Sequence, residues 1–429
     1  MRKIINKTLA KLLLIMGLFV ILPAQAELNL VIDKSGVDGT VKIILPPFSG
    51  SGFAGQVQKI ITADLERSGR FTFIPASKVG NISPFGGPLN QVELKKSTAD
   101  FLVRGRSQGP IGKEAIVVEI ININNGEKVA SFMTNADSDK RKVAHQTADA
   151  IYKKLTGLRG AFSTKIAYVA ANGGGNDRIY QLIIADADGY NPQAILTSRK
   201  PIMSPAWSPD GSELAYVSFE TNTSAVYVQN IFTGDKRKIS AREGINGAPA
   251  WSPDGTHLAL SLSVNGNPEI YTINVRNGHL QQITHSSAID TEPVWQSGGA
   301  IIFTSNRGGS PQLYRISSRG GKAQRLTFNS KYNSAADIAN NKITFVTGRR
   351  GAFQIALKAL GSSGRDILSN GRQDESPSLS PNGAMVVYTT LRGGENTLAV
   401  ISDNGKSRQF LKSAAGDVRE PAWSPYLHQ

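Results

Sequence analysis

The chain of 429 residues contains no cysteine. That one absence excludes disulfides, thiolate metal sites, a cysteine nucleophile and a lipid anchor on an N-terminal cysteine. Aromatic residues make up only 7% of the chain, and just four of them are tryptophan. The five histidines, His145, His257, His279, His285 and His428, never fall at a metal-ligand spacing. Helical periodicity places His145 on the polar side of its segment. No G-x-S-x-G motif offers a serine nucleophile, and no pair of carboxylates stands out as an acid and a base. An enzyme is therefore unsupported, with no catalytic, cofactor or metal residue to name. The one rival to a binding role is a hydrolase or lyase that acts on a cell-envelope polymer through residues brought together only by folding. After residue 22, no apolar run approaches the ~18 residues of a membrane span. The mature chain is expected to be soluble.

The first 26 residues carry an export signature. Arg2, Lys3, Lys7 and Lys11 precede an apolar stretch from Leu12 to Leu22, and Ala24-Gln25-Ala26 is a small-x-small cleavage site. Cleavage is expected between Ala26 and Glu27. Four of the 48 cations and none of the 33 anions lie in this segment, so the remainder carries a net charge of +11. In an exported protein this points to anionic envelope partners rather than nucleic acid. The periplasm is the expected compartment.

Residues 27–160 read as a small α/β domain. Val41–Leu45, Arg70–Ile74 and Phe101–Gly105 are strand-like, and Asn124-Asn125-Gly126 joins two further strands as a hairpin. Apolar spacing predicts helices over Gln56–Arg67 and Arg141–Leu155, the second ended by Gly157. Residues 76–92 are rich in Gly, Pro, Ser and Asn and read as a loop.

A different rhythm governs residues 161–429. All four tryptophans sit in one phrase: Trp207 and Trp251 in P-A-W-S-P-D-G, Trp295 in P-V-W-Q-S-G-G and Trp423 in P-A-W-S-P-Y. Leu379 takes the same slot in P-S-L-S-P-N-G, and Ile338 takes it in the degraded A-D-I-A-N-N. Successive steps are 44, 44, 43, 41 and 44 residues. A period in the low forties built of short strands is the mark of a β-propeller with one four-stranded blade per period. Six copies of the second strand begin at Ile166, Leu214, Leu258, Ile301, Ile343 and Val386. The first has no P-A-W strand before it, and the last P-A-W has no blade after it. The C-terminal strand is thus expected to close blade one of a six-bladed ring, which removes an open sheet edge.

Three local motifs invite chemistry. Gly50-Ser51-Gly52-Phe53-Ala54-Gly55 is a G-x-G-x-x-G between strand and helix, but the acidic residue of a dinucleotide site is missing after Phe73-Ile74. Asp186-Ala187-Asp188-Gly189 opens like a calcium loop and lacks the later glutamate, so it reads as a blade turn. The repeated Ser-Pro-Asp-Gly also reads as a turn, with the tryptophans packed between blades.

The W-S-P-D-G units resemble the WD40-like repeats of the TolB family and of prolyl oligopeptidase relatives, whose nucleophile elbow is absent here. Val41–Phe48, Asp64–Phe71, His145–Gly157, Arg159-Gly160-Ala161-Phe162 and Pro421–Leu427 extend the resemblance to TolB over nearly the whole mature chain. The resemblance implies a non-enzymatic, monomeric adaptor of the Tol-Pal system that supports outer-membrane integrity and constriction at division. It implies that the peptidoglycan-associated lipoprotein Pal binds at the channel mouth. By motif, that site falls on Ile245, Asn246, Gly247, Ala248, Thr291, Glu292, Pro293, Asn333, Asp374, Glu375, Arg419 and Glu420. Ile245 departs from the family, which often has histidine there. TolA would bind the mature N-terminus, Glu27, Leu28, Asn29, Leu30, Val31, Ile32 and Asp33 and on to about Asp38, as an added strand. Other outer-membrane proteins and bacteriocins are further partners that the resemblance implies.

Overall fold

The computed structural model describes residues 39–427, except Asn329 and residues 413–415; at Asn176 only the backbone is described. The signal segment and residues 27–38 lie outside the described residues. Among those described, no helix is long and apolar enough to cross a membrane.

The N-terminal part runs β1 (Val41–Ile44), α1 (Gly52–Arg67), β2 (Phe71–Phe73), α2 (Gln91–Lys96), β3 (Phe101–Gln108), β4 (Ala115–Asn122), β5 (Lys128–Met133) and α3 (Lys140–Thr156). Its sheet order is β2-β1-β3-β4-β5. β1 pairs parallel with β2 and β3, whereas β3, β4 and β5 are antiparallel. One face packs Ile43, Val103, Val118 and Ile120 against Val57, Ile61 and Leu65 of α1 and Val143, Ile151 and Leu155 of α3. Helix α3 begins on Asp139, whose carboxylate accepts from the Arg141 and Lys142 amides, and stops on Gly157 at φ +77°.

Two expectations change here. Helix α2 begins at Gln91, in the last residues of the stretch read as a loop, and runs past it; Val79 of that stretch and Leu94 of α2 cover Ile44, Leu102 and Ile121 on the second sheet face. Helix α1 starts at Gly52, so two glycines of the G-x-G-x-x-G lie inside it. The Ser51 hydroxyl donates to Glu114 at 2.5 Å. A carboxylate therefore already sits where a phosphate would approach the helix N-terminus.

Residues 165–423 form six four-stranded blades, as the period implies. The inner strands are Asp417–Trp423, Ile202–Trp207, Asn246–Trp251, Asp290–Gln296, Asn333–Ala339 and Glu375–Leu379 for blades one to six. The C-terminal strand pairs antiparallel with Lys165–Asn172, Trp423 facing Ile166, and so closes the ring. The tryptophans join the blades. Trp207 donates its indole N–H to the Ala422 carbonyl at 3.0 Å, Trp251 to Ala206 at 3.2 Å, and Trp295 to Ala250 at 3.1 Å. Blades five and six lack the indole. There the Asp337 carboxylate accepts from the Ser378 hydroxyl at 2.9 Å and the Leu379 amide at 2.7 Å, and Ser378 in turn accepts from the Trp423 amide. Ser-Pro-Asp-Gly is a turn, as read: Asp254 accepts from Ser252 and Thr256, bonds that hold its carboxyl down at about 2.

The two parts share one core. Tyr168, Met385, Val400 and Trp423 belong to the same buried cluster as Leu65, Tyr152 and Phe162. The contact uses the hairpin turns of blades one and six. Arg70 bonds both oxygens of Asp403, at 2.7 and 2.6 Å. Asn404 donates to the Gly69 carbonyl at 2.8 Å. Gly69 has φ +64°, and a β-carbon there would lie 2.4 Å from the Ser402 hydroxyl, so the site requires glycine. Arg141 reaches Asp186 at 3.0 Å and Asp188 at 2.6 Å, which occupies the carboxylates of the calcium-like motif.

His145 corrects the sequence reading. It is buried rather than on a polar surface, and its Nδ1 lies 2.6 Å from Asp64 on α1. Burial opposes the imidazolium, but the carboxylates of Asp64 and Asp188 outweigh burial and the nearby Arg67 charge, so its pKa is raised. Arg141 and Arg67 are the cations on this side, and Asp64, Asp186 and Asp188 the anions.

Two outcomes follow from this packing. Ending the chain at Gly416 removes Trp423 and unpairs a strand; loss of the indole alone should cost about 3–5 kcal/mol. The melting temperature should drop sharply, and an unchanged value would disprove the closure. A raised folded pKa for His145 means that its contribution is full below the unfolded value near 6.5 and is lost as pH rises through the folded pKa. Thermal unfolding from about pH 6 to about pH 9 should show that decline, and His145→Gln should flatten it; an identical slope in the variant would rule the pair out as its source.

Candidate functional site

The propeller has two unlike faces. The Ser-Pro-Asp-Gly turns and the turns at Asp186–Gly189 and Asp403–Gly405 lie on one, where the N-terminal part is docked. Each inner strand starts on the other face, at the channel mouth.

Every inner strand carries a β-bulge just inside that mouth. Register shifts occur between Met203 and Ala206, Gly247 and Ala250, Thr291 and Val294, Ser334 and Asp337, Glu375 and Ser378, and Arg419 and Ala422. At each bulge a non-glycine residue takes positive φ: Ser204 (51°), Ala248 (46°), Glu292 (52°), Ala335 (51°), Ser376 (50°) and Glu420 (52°). Each is followed by proline, except Ala335, which is followed by Ala336. Such a backbone typically costs about 1–3 kcal/mol per residue and persists only where the surroundings impose it. Six in one ring mark this rim as a functional candidate.

The six bulge residues, with Met203 and the residues that follow each bulge, line a mouth cavity of about 340 Å3. Pro205, Pro249, Pro293, Ala336, Pro377 and Pro421 also line the channel below it, a cavity of about 490 Å3 walled by the tryptophans. These six residues form a neck without hydrogen-bond donors of their own at the five prolines. In the channel, Asp337 has no ion-pair partner among the described residues. Burial pushes its carboxyl up, against bonds from the Leu379 amide, the Ser378 hydroxyl and the Ile338 amide.

The residues expected at the site fall into three groups. Ile245 and Glu375 are exposed. Gly247, Ala248, Thr291, Glu292, Arg419 and Glu420 are half-buried at the rim. Asn246, Asn333 and Asp374 are buried and hydrogen-bonded, and the neck residue Pro293 is buried by packing. Asn246 bonds Ser240 and both the amide and carbonyl of Arg242; Asn333 bonds Gln312; Asp374 bonds Gly371 and Thr390. They shape the surface from beneath. Glu292 accepts from the Ala335 amide of the next blade at 2.8 Å, and Glu420 accepts from the Ser204 amide of its next blade. Burial raises the Glu420 carboxyl pKa, and Glu375 nearby adds to this. The segment 27–33 and the cleavage site at Ala26 and Glu27 lie outside the described residues.

Sequence reasoning missed Ser204, Ala335 and Ser376. The available signal was the slot before each repeated proline, legible only with the repeats in register. It also missed the apolar surroundings. Among the described residues, seven of the fourteen exposed large apolar side chains lie on the mouth face: Met203, Ile245, Val264, Ile289, Phe328, Phe353 and Leu391. The arrangement offers a bound partner a strained rim, an apolar surround and carboxylates already engaged. Among the described residues the only cluster of histidine and carboxylates that could hold a metal, His145, Asp186 and Asp188, is the domain contact already described.

Comparison with known proteins agrees with this architecture. Residues 28–129 match the TolB amino-terminal domain, and residues 152–427 match the TolB beta propeller domain. The Tol-Pal system proteins TolB of Xanthomonas oryzae pv. oryzae and Xanthomonas campestris pv. campestris are each 46% identical to this chain, over 94% of both chains. The crystal structure of TolB from Acinetobacter baumannii superposes with a TM-score of 0.83 at 37% identity, covering 90% of this chain and 97% of that one. A chain of the nidogen/laminin complex, at 10% identity and a TM-score of 0.50, covering 61% of this chain and 98% of that one, shares the fold alone. By its two matched domains and its identity to these relatives over nearly its whole length, the chain belongs to the TolB family.

Proposed function

We propose that the protein is a non-enzymatic periplasmic adaptor of the Tol-Pal system, with Pal bound at the channel mouth and TolA bound by residues 27–38. In this role it supports outer-membrane integrity and constriction at cell division, and the same surfaces serve bacteriocins that exploit the system. The observation that carries the reading is the mouth itself: a ring of six positive-φ residues over a proline neck, with half of the described residues' exposed large apolar side chains on that face. An apolar surround with a few well-packed central residues is how protein-binding surfaces concentrate their energy. The docked N-terminal part leaves this face uncovered. The exposed Ile245, beside Ala248, makes a nonpolar contact the fitting one at that point of the rim.

The separate location of the TolA segment is supported by its place ahead of β1 and its Leu28/Leu30/Ile32 alternation, which suits pairing with a partner strand.

Two experiments test the reading. Ala248→Arg and Thr291→Asp should each weaken Pal binding by about 2 kcal/mol or more, read by isothermal titration, with melting temperatures little changed. Ala248 is already at φ +46°, so arginine meets no new backbone strain there beyond what alanine bears. Wild-type affinity in both folded variants would move the site elsewhere. Deleting residues 27–38 should abolish TolA binding while Pal affinity and melting temperature stay the same; equal loss of both partners would point to damaged folding and refute separate sites.

A further inference from the structure

Blade five carries a second recess on the mouth face. It is an open groove of about 540 Å3, lined by Lys331, Tyr332, Arg349, Arg350, Phe353 and Arg365 among others. Its floor is aromatic: the Tyr332 and Phe353 rings lie 4.8 Å apart at 58°, and Phe353 is 43% exposed. Its rim is cationic. Arg349 and Arg350 flank the turn between the second and third strands, and Lys331 lies on the connection into the inner strand. No lining residue is acidic. Lys331, Arg349 and Arg350 make no ion pair among the described residues, whereas Arg307, Arg178 and Arg419 on the same face each hold an aspartate. Burial, and then the Arg349 charge beside it, pull the Arg365 guanidinium below its usual value. Lys331, Arg349 and Arg350, gathered without an ion-pair partner among the described residues, favour an anion between them.

The floor narrows the choice of anion. Guanidinium groups pair with carboxylate and phosphate alike, but a bare phosphate gains nothing from two aromatic rings. A carboxylate next to an apolar side chain uses both rim and floor. The groove is also continuous with the mouth: Ser334 donates to the Tyr332 hydroxyl at 3.1 Å, and the next residue, Ala335, is the blade-five bulge. A polypeptide leaving the mouth across blade five passes over it. The mouth bears Glu292, Glu375 and Glu420, so the two regions have opposite sign and would fix the orientation of a partner.

We propose that the blade-five groove is a subsite for an acidic peptide segment, with carboxylates on Arg349 and Arg350 and a neighbouring apolar side chain on Phe353. The proposal rests on the mouth being a protein-binding surface.

Fluorescence anisotropy of a labelled Asp-Glu-Leu-Asp-Glu peptide with the full mature protein tests it. Binding should saturate, weaken as salt rises from about 50 to about 300 mM, and fall about tenfold or more in the double variant Arg349→Glu/Arg350→Glu. Phe353→Ala, checked for an unchanged melting temperature, should also weaken it, and replacing the peptide leucine by serine should do the same. Ala248→Arg should leave peptide binding intact. No binding, or equal binding by the arginine double variant, overturns the proposal. Loss of peptide binding in Ala248→Arg also overturns it, because the peptide would then sit in the mouth. Displacement of the peptide by pyrophosphate or phosphatidylglycerol vesicles at equal anion concentration would make the groove a phosphate site instead. Since this assay contains no Pal, its failure is distinct from wild-type Pal affinity in Ala248→Arg, which would refute the mouth reading alone.

Discussion

The propeller depends on polar bonds between adjacent inner strands. Blades pack face to face through apolar side chains, but apolar packing is non-directional and would allow one blade to slide along its neighbour. A hydrogen bond from a fixed indole to a fixed carbonyl removes that freedom. Trp207, Trp251 and Trp295 supply it at three seams. The Glu292 carboxylate on the Ala335 amide supplies it between blades four and five. Asp337 on Ser378 and Leu379, followed by Ser378 on Trp423, supplies the last two. All six seams are held, by an indole at three, a carboxylate at two and the Ser378 hydroxyl at the last. Where the repeat degenerates, a carboxylate replaces the indole.

This explains why the fold was largely legible and parts of the site were not. The W-S-P-D-G phrase recurs because the turn needs an Asx acceptor and a positive-φ glycine, and because the seam needs the indole; each residue type has its own physical reason, so the period survives in one sequence. Ring closure followed from counting strands. Asp337 could not be found this way, since a carboxylate in place of an indole breaks the pattern it preserves. Asn246, Asn333 and Asp374 read as surface because polar residues at a loop usually are. They bond their own loop (Asn246), Gln312 of the preceding blade (Asn333) and Gly371 and Thr390 (Asp374), and those bonds depend on backbone geometry. His145 was misplaced for a related reason. Periodicity ranks the faces of one helix, but it does not reveal that Asp64 on another helix lies opposite.

The bulge ring also shows how strain and function coincide. A single positive φ at Ala248 or Ser376 has no signature in sequence, since both are ordinary residues in β structure. The proline after each bulge fixes its own φ and donates no hydrogen bond, so the ladder is interrupted at that point in nearly every blade. Glu292 and Glu420 satisfy two of the amides thus diverted, those of Ala335 and Ser204. The rim is therefore held open by the six surrounding blades together, and its shape exists before any partner arrives. A preformed rim keeps the ordering cost of binding low.

The position of the N-terminal part follows from the same geometry. Its core is continuous with blades one and six, and Arg70, Arg141 and Asn404 tie it to their turns. Swinging it away would expose Tyr152, Phe162 and Trp423 and leave Asp186, Asp188 and Asp403 without their guanidinium partners, so a hinge at this contact is unfavourable. The described residues thus behave as one body with two ends. At the Ser-Pro-Asp-Gly end the turns of blades one and six hold the N-terminal part, and the described residues leave the bulge end uncovered. A partner that needs a broad preformed surface finds one at the bulge end.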